Sequence, residues 1–286
     1  MLKDDMVQRA VDWALAEDLP QGDLTTDLIL PPEHRSKAVL VARESGILAG
    51  MDVFDCVFNT LDPSLTVGKF FEDGAEFKVG DILAELKGPS HTILAGERTA
   101  LNFVQRMSGI ASLTRQFVLR VEGSGVQILD TRKTTPGIRF LEKHAVACGG
   151  GTNHRSSLSD AILIKDNHLS LVQDGRESLS SRLQQIRTKI GPHEQIEVEV
   201  DMLEQIPPLL EANVDIIMLD EFSNDDMREA VKLINGRALV EASGGVTLDR
   251  VGSIAETGVD YISVGALTHS YRSIDLGLDM IPVFTS

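Results

Sequence analysis

Cysteine, long apolar runs and positive charge are all scarce in this chain, and each shortage removes a class of function. The 286 residues include two cysteines, Cys56 and Cys148. They stand too far apart for a metal knuckle or a redox pair, and two thiols make no disulfide scaffold, so both are expected to be reduced. Cys148 lies close enough to the glycine run that follows it to line a pocket. Lys and Arg number 27 against 43 Asp and Glu, a formal charge of -16, which argues against binding nucleic acid or an anionic membrane through an extended basic face. No apolar stretch approaches the length of a membrane span. Met1 to Gln8 carries Asp4 and Asp5 where a signal peptide would place basic and then apolar residues, so a cytoplasmic location is expected. There is no G-x-G-x-x-G after a strand and no G-x-x-x-x-G-K-[ST], so dinucleotide-fold and P-loop readings lack their signature.

What the chain does have is a core and one basic exception. Its 42% hydrophobic content supports a sizeable core in one large or two ordinary domains. From Asp130 to His168 the composition reverses: six fixed cations (Arg132, Lys133, Arg139, Lys143, Arg155, Lys165) and three histidines (His144, His154, His168) face four acids (Asp130, Glu142, Asp160, Asp166). Cations brought together repel one another unless a carboxylate or phosphate lies between them, so this stretch reads as an anion pocket. Val126 to Asp130 reads as a strand running into Thr131-Arg132-Lys133, and Ala161 to Ile164 as another running into Lys165-Asp166-Asn167-His168. Delivery from strand ends favours a shared pocket for Arg132, Lys133, Arg155 and Lys165. Arg139, Lys143 and His144 fall on a helix that is free to turn them to solvent. Thr135 is expected to cap that helix with Pro136 at its first position, and Gly149-Gly150-Gly151 to end it.

The rest of the chain divides by pattern. Met6 to Asp18 has the apolar spacing of one helix face, broken at Pro20 to Asp23. Residues 38–43 and 46–49 read as short strands, about 52–61 as a helix, and 72–86 as short strands between turn glycines, which together suggest a small antiparallel sandwich or barrel. His91 to about Arg120 reads as one or two helices, with Gly109 as the interruption. Beyond it, strands are expected near 126–130, 161–164, 196–200, 215–219, 238–242 and 260–264, most of them separated by helices. That alternation predicts a parallel sheet, and six units in so short a span suggest a barrel or open barrel.

In such a barrel the site lies at the carboxyl ends of the strands. In Glu197-Val198-Glu199-Val200-Asp201 the acids share one face and the valines the other, which fits valines under helices and acids turned inward. Buried acids need partners. Ser243-Gly244-Gly245 and Gly265-Ala266 offer free backbone N–H groups before helices, as in a phosphate site after the late strands. Together these features suit a phosphorylated sugar and an acidic partner.

The motifs DTRKTTPGIR, GGGTNHR, ILIKDNH, IEVEVD, IIMLD, EASGG and DYISVGALTHS, in this order, resemble those of the quinolinate phosphoribosyltransferases. The likeness runs from GDLTTD at Gly22 to the end of the chain. It implies an incomplete parallel α/β barrel, TIM-like, over 114–269, and an N-terminal α/β sandwich domain over 1–113 that the tail 270–286 rejoins. It also implies the reaction of quinolinate with phosphoribosyl pyrophosphate, with magnesium, to give nicotinate mononucleotide, pyrophosphate and carbon dioxide. Carried over by motif, Arg98, Arg132, Lys133, His154, Arg155 and Lys165 hold the quinolinate carboxylates. Glu199 and Asp220 face the ribose and its magnesium, directly or through water, and Ser243, Gly244, Gly245 and Gly265 take phosphate. Lys133, Lys165, Glu199 and Asp220 are the residues expected to act in catalysis. A homodimer or higher oligomer is implied, with Arg98 supplied across the interface. Glu221 stands where the family pattern has Asn, and Ala147 where it has Arg. Three other readings stay open: a relative associated with molybdenum transport, which the intact NHR and IKDNH disfavour; an aldolase-type barrel using Lys133 or Lys165 as a Schiff base; and a non-catalytic sensor of the same ligands.

Overall fold

The structure is a computed structural model that describes residues 2–165, 167–168, 171, 179–191 and 194–281. Asp166 of the I-K-D-N-H motif and positions 282–286 of the tail lie outside these. The chain divides into two compact units, one formed by residues 1–115, 134–150 and 270–286, the other by 116–133 and 151–269.

The first unit opens with helix α1 (Asp4–Asp18), which buries Val7, Val11 and Leu15, the i, i+4, i+8 row of its apolar face. Helix α2 (Leu24–Ile29) starts at Asp23, whose side chain accepts from the N–H groups of Thr25 and Thr26. A four-stranded antiparallel sheet follows, with β1 (Arg35–Ala42), β3 (Thr66–Lys69), β5 (Ile82–Pro89) and β12 (Leu276–Ile281) in the order β12-β1-β5-β3. Strand β12 brings the end of the chain back antiparallel to β1, pairing Leu278 with Leu40. The short strands β2 (Gly46–Ile47) and β4 (Glu76–Phe77) pair separately. Helix α3 (Met51–Leu61) buries Met51, Val53, Phe54, Val57 and Phe58.

Helix α4 runs unbroken from Ser90 to Arg120. The interruption expected at Gly109 does not occur, and the glycine has a packing reason instead: a Cβ there would lie 2.3 Å from the Arg272 carbonyl oxygen. Helix α5 (Arg139–Cys148) also differs from expectation, since it begins after Ile138 and not at Pro136. Gly137 takes φ +85°, which helical residues do not adopt, and Thr135 is engaged elsewhere, its hydroxyl with Arg106 and its N–H with Glu142 at 2.9 Å. Lys143, expected to be free to face solvent, is 3% exposed. Residues 134–150, inside the barrel by order along the chain, cluster with the first unit. The buried Glu142 carboxylate pairs with Arg106 there, and Gly149 sits where a Cβ would meet Ala111 and Thr114.

The second unit is a six-stranded parallel sheet: β6 (Gln127–Leu129), β7 (Ile162–Ile164), β8 (Ile196–Val200), β9 (Ile216–Asp220), β10 (Leu239–Ser243) and β11 (Tyr261–Ser263). Their order is β6-β11-β10-β9-β8-β7, so the first strand pairs with the last and no ladder joins β6 to β7 among the described residues. The result is an open barrel. On the free side of β6, Thr152 forms a parallel bridge with Leu129, donating to the Ile128 carbonyl at 2.8 Å, and so positions the N-H-R segment beside the strand. Val198, Val200, Ile217, Leu219, Val240 and Ala242 are buried, the apolar rows that parallel strands covered by helices require.

Candidate active site

One cavity of about 310 Å³ opens at the carboxyl ends of these strands. It is lined by Asp130, Thr131, Arg132 and Lys133 after β6, by His154 and Arg155, by Leu163 and Lys165 of β7 and its end, by Glu199 of β8, by Met218 and Asp220 of β9, by Ser243 of β10 and by Ser263 of β11. The parallel ladder explains the convergence, because all six strands end on the same side: Glu199, Asp220, Ser243 and Ser263 reach the cavity from the last two paired residues of their strands, and Arg132, Lys133 and Lys165 from just beyond theirs.

The electrostatics are those of an anion site with an acidic wall. The Arg155 guanidinium is held below its usual range first by burial and then by the charge of Arg132, so these two cations feel each other across the cavity. In the same cavity the Lys165 ammonium pairs with Glu199. Lys133 is fixed from behind, its carbonyl accepting the Thr268 hydroxyl at 2.8 Å. Gly265 lies against its side chain, where a Cβ would come within 3.0 Å of the Lys133 Cδ.

Beneath the cavity a polar layer crosses the barrel interior. The Asp130 carboxylate accepts the His154 N–H at 2.8 Å, and His154 Nδ1 accepts the Arg155 N–H at 2.8 Å. That leaves Nε2 as the protonated nitrogen of the neutral ring. It points at Glu197 (3.1 Å) and Glu241 (3.6 Å). The Ser263 hydroxyl donates to the other Glu241 oxygen. Burial, and next the charge of Glu197, push the Glu241 carboxyl up to about 8. A second cavity of about 200 Å³ lies on the far side of this layer, lined by Gln127, Gln195, Ile216 and Tyr261 at the strand starts.

Eight of the residues singled out in the sequence therefore share one cavity: Arg132, Lys133, His154, Arg155, Lys165, Glu199, Asp220 and Ser243. His154 differs from the other basic residues in that its ring is turned into the polar layer. Gly244 (φ +87°) and Gly245 (φ +54°) continue from Ser243 in left-handed backbone, and Glu221 packs on them: a Cβ on Gly244 would lie 2.6 Å from the Glu221 Cδ. Glu221 itself adopts φ +58°, a conformation for which the Asn of the family pattern has the better propensity. Ala147, the other departure, lies in the last turn of α5 in the first unit. Arg98 does not line the strand-end cavity; it borders another of about 430 Å³ in the first unit, with Glu17, Asp18, Thr99, Asn102 and Arg106. Glu241 and Ser263 gave no functional signal in the sequence beyond strand alternation, which places Tyr261 and Ser263 on one face and Glu241 on the inward row of its strand.

Comparison with known proteins gives one answer. The family model described as quinolinate phosphoribosyl transferase, N-terminal domain, matches residues 23–108, and that for the C-terminal domain matches residues 110–279. The chain is similar to a probable nicotinate-nucleotide pyrophosphorylase [carboxylating] of Bacillus subtilis, 41% identical over 96% of this chain and 93% of that protein. It is also similar to a mitochondrial quinolinate phosphoribosyltransferase [decarboxylating] of Nicotiana glauca, 40% identical over 95% of this chain and 81% of the other. Among solved structures it superposes on NadC of Streptococcus pyogenes with a TM-score of 0.92, 38% identity and 99% of each chain covered. The nicotinate-nucleotide pyrophosphorylase of Francisella tularensis gives a TM-score of 0.91 at 38% identity over 98% of each chain. With both domain models spanning nearly its whole length in the order the motifs require, this chain belongs to the quinolinate phosphoribosyltransferase family.

Proposed function

We propose that the chain transfers the phosphoribosyl group of phosphoribosyl pyrophosphate to quinolinate, with loss of carbon dioxide, yielding nicotinate mononucleotide and pyrophosphate for de novo NAD synthesis. The observation that carries this reading is the single cavity in which Arg132, Lys133, Arg155 and Lys165 face Glu199 and Asp220. A dicarboxylate satisfies cations that otherwise repel one another, and a ribose losing its leaving group satisfies the acids.

The chemistry follows from that division. The cations hold both quinolinate carboxylates and aim the pyridine nitrogen at C1 of the ribose, so proximity supplies much of the rate and no covalent nucleophile is needed. As the bond from C1 to pyrophosphate breaks, its electron pair leaves with pyrophosphate, and the charge developing at C1 is stabilised by Glu199 and Asp220. The nitrogen lone pair closes the new bond. The ring nitrogen is then quaternary, and it stabilises the electron pair left on the neighbouring carbon when its carboxylate departs as carbon dioxide; a proton from solvent completes the product. The pairing of Lys165 with Glu199 has a role here, because a quinolinate carboxylate competes for Lys165 and releases Glu199 toward the ribose.

Glu199 and Asp220 lie at or next to the ends of adjacent strands and offer hard oxygen donors, the set that suits magnesium together with substrate phosphates. They would hold the ion directly or through water, and it would neutralise the departing pyrophosphate. Ser243, Gly244, Gly245 and Gly265 take phosphate in this reading. Arg98, which borders a cavity of the first unit, completes in this reading the quinolinate site of a partner subunit in a homodimer. No helix among the described residues is long and apolar enough to cross a membrane, and a cytoplasmic setting fits a chain with two free cysteines.

The test is a product assay with quinolinate, nicotinate and nicotinamide offered separately. Charge-assisted contacts to the second carboxylate, worth about 1.5 to 3 kcal/mol, favour quinolinate over nicotinate by roughly ten- to a hundredfold in kcat/KM. Equal use of nicotinate would overturn the assignment. Binding of both substrates without turnover would make the protein a sensor, and borohydride trapping of a carbonyl substrate on Lys133 or Lys165 would make it an aldolase.

A further inference from the structure

In the first unit, apart from the strand-end cavity, three side chains with metal-binding chemistry converge. His144 and Cys148 are four residues apart on α5 and so share its face, and Asp73 meets them from the segment between β3 and β4. His144 Nε2 lies 2.8 Å from Asp73 Oδ2 and 3.4 Å from Cys148 Sγ, and the ligand atoms of all three fall within 4.8 Å of one another. Asp73 is held in place by the N–H groups of Gly50 (2.9 Å) and Met51 (3.0 Å), so its carboxylate also caps α3. All three residues are part-buried.

Nε2 is a single nitrogen facing two partners, and without a ligand it serves only one of them well: carrying a proton, it donates to Asp73 and leaves the Cys148 sulfur as a weak acceptor. A dication would take one lone pair from each of the three atoms. The spacing agrees. Bond lengths of about 2.0 to 2.3 Å in a tetrahedral zinc site place nitrogen roughly 3.3 Å from oxygen and 3.6 Å from sulfur, so the two distances from His144 need to open by about half an ångström or less, while the Asp73 and Cys148 ligand atoms, within 4.8 Å of each other, close onto the ion.

We propose that Asp73, His144 and Cys148 form a three-residue site for a borderline divalent ion, zinc or its analogue cobalt, with a fourth position left to water. A thiolate, an imidazole and a carboxylate select such an ion over magnesium, which takes oxygen donors. Binding exchanges the Cys148 proton for the metal, with no change of oxidation state. The ion ties the start of α3 and the Asp73 segment to the last turn of α5, which makes it a structural site; none of the three residues belongs to the catalytic set.

The experiment is a cobalt titration of the full-length protein after chelator treatment, followed by optical absorption. The expected result is a thiolate-to-cobalt charge-transfer band with tetrahedral d–d bands, saturating at one ion per chain and displaced by zinc but not by magnesium. Cys148→Ser abolishes the charge-transfer band while keeping turnover with quinolinate. His144→Ala weakens cobalt binding at least tenfold, and Cys56→Ser leaves the spectrum unchanged. Absence of the band in the wild-type protein overturns the proposal. So does its survival in Cys148→Ser or its loss in Cys56→Ser.

Discussion

Glu241 is buried on the axis of the parallel sheet with Glu197 beside it and His154 above, and that position makes its proton a stability term. Its carboxyl is raised from 4.5 to about 8 by burial and by Glu197. Between those two values the native state keeps a proton that the unfolded chain has lost, so the native state binds more protons and stability falls as pH rises. The contribution is fully present below 4.5, is lost as pH rises through about 8 and is level above it. Glu241→Gln, which keeps an acceptor for Ser263 and carries no charge, is expected to flatten that slope. Urea unfolding of both proteins across this window checks it, and an unchanged slope would mean that Glu241 is ionised at neutral pH. Glu199 and Asp220 are a different case, because in the proposed reaction their charge matters most as positive charge develops on the ribose. Glu199→Ala and Asp220→Ala are each expected to lower kcat by roughly 10²- to 10³-fold and to leave quinolinate affinity nearly intact. Calorimetry with quinolinate beside steady-state kinetics separates the two. Lost binding with unchanged saturating turnover would mean that these acids hold the base and not the ribose.

At the scale of elements, what the sequence made legible was whatever burial encodes locally. Each expected barrel strand lies within a residue or two of an observed one, for example 215–219 against Ile216–Asp220, because a parallel strand covered on both faces is an apolar run bounded by turns. The cations and acids at the strand ends were legible for the same reason, since charge directly after such a run has few places to go but the cavity. What was not legible depends on contacts distant in sequence. Thr135 looked like a helix cap until Arg106 and Glu142 claimed it, and Gly109 looked like a break until the Arg272 carbonyl explained it. The glycine gives a test with a definite sign. In an exposed helix Gly→Ala stabilises by about 1 kcal/mol. At Gly109 the added methyl would meet the Arg272 carbonyl oxygen at 2.3 Å, and overpacking of this kind costs about 1 to 3 kcal/mol. Gly109→Ala is therefore expected to lower the urea midpoint, and a raised midpoint would show that the tail segment yields without cost.

For the whole molecule, the proposal that Arg98 completes a partner subunit's site in a homodimer is open to a direct test. It lies on α4 in the first unit, bordering a cavity with Asp18 and Arg106, whereas Lys133 lines the strand-end cavity of the second unit. If the site is completed across a homodimer, its two defects are separable by mixing. Arg98→Ala and Lys133→Ala homodimers are each expected to be nearly inactive, since every site lacks one cation. A purified heterodimer of the two then contains one site with both defects and one with neither. Its activity should return toward half that of the wild-type dimer, a count that assumes independent sites. If Arg98 serves its own barrel, every site in the heterodimer still carries one defect and activity stays at the homodimer level. Quinolinate titration of the same heterodimer gives a second reading, with one tight site per dimer expected for the shared arrangement and none for the alternative. A heterodimer verified by two distinct tags that shows neither recovery nor a tight site would rule out the shared site.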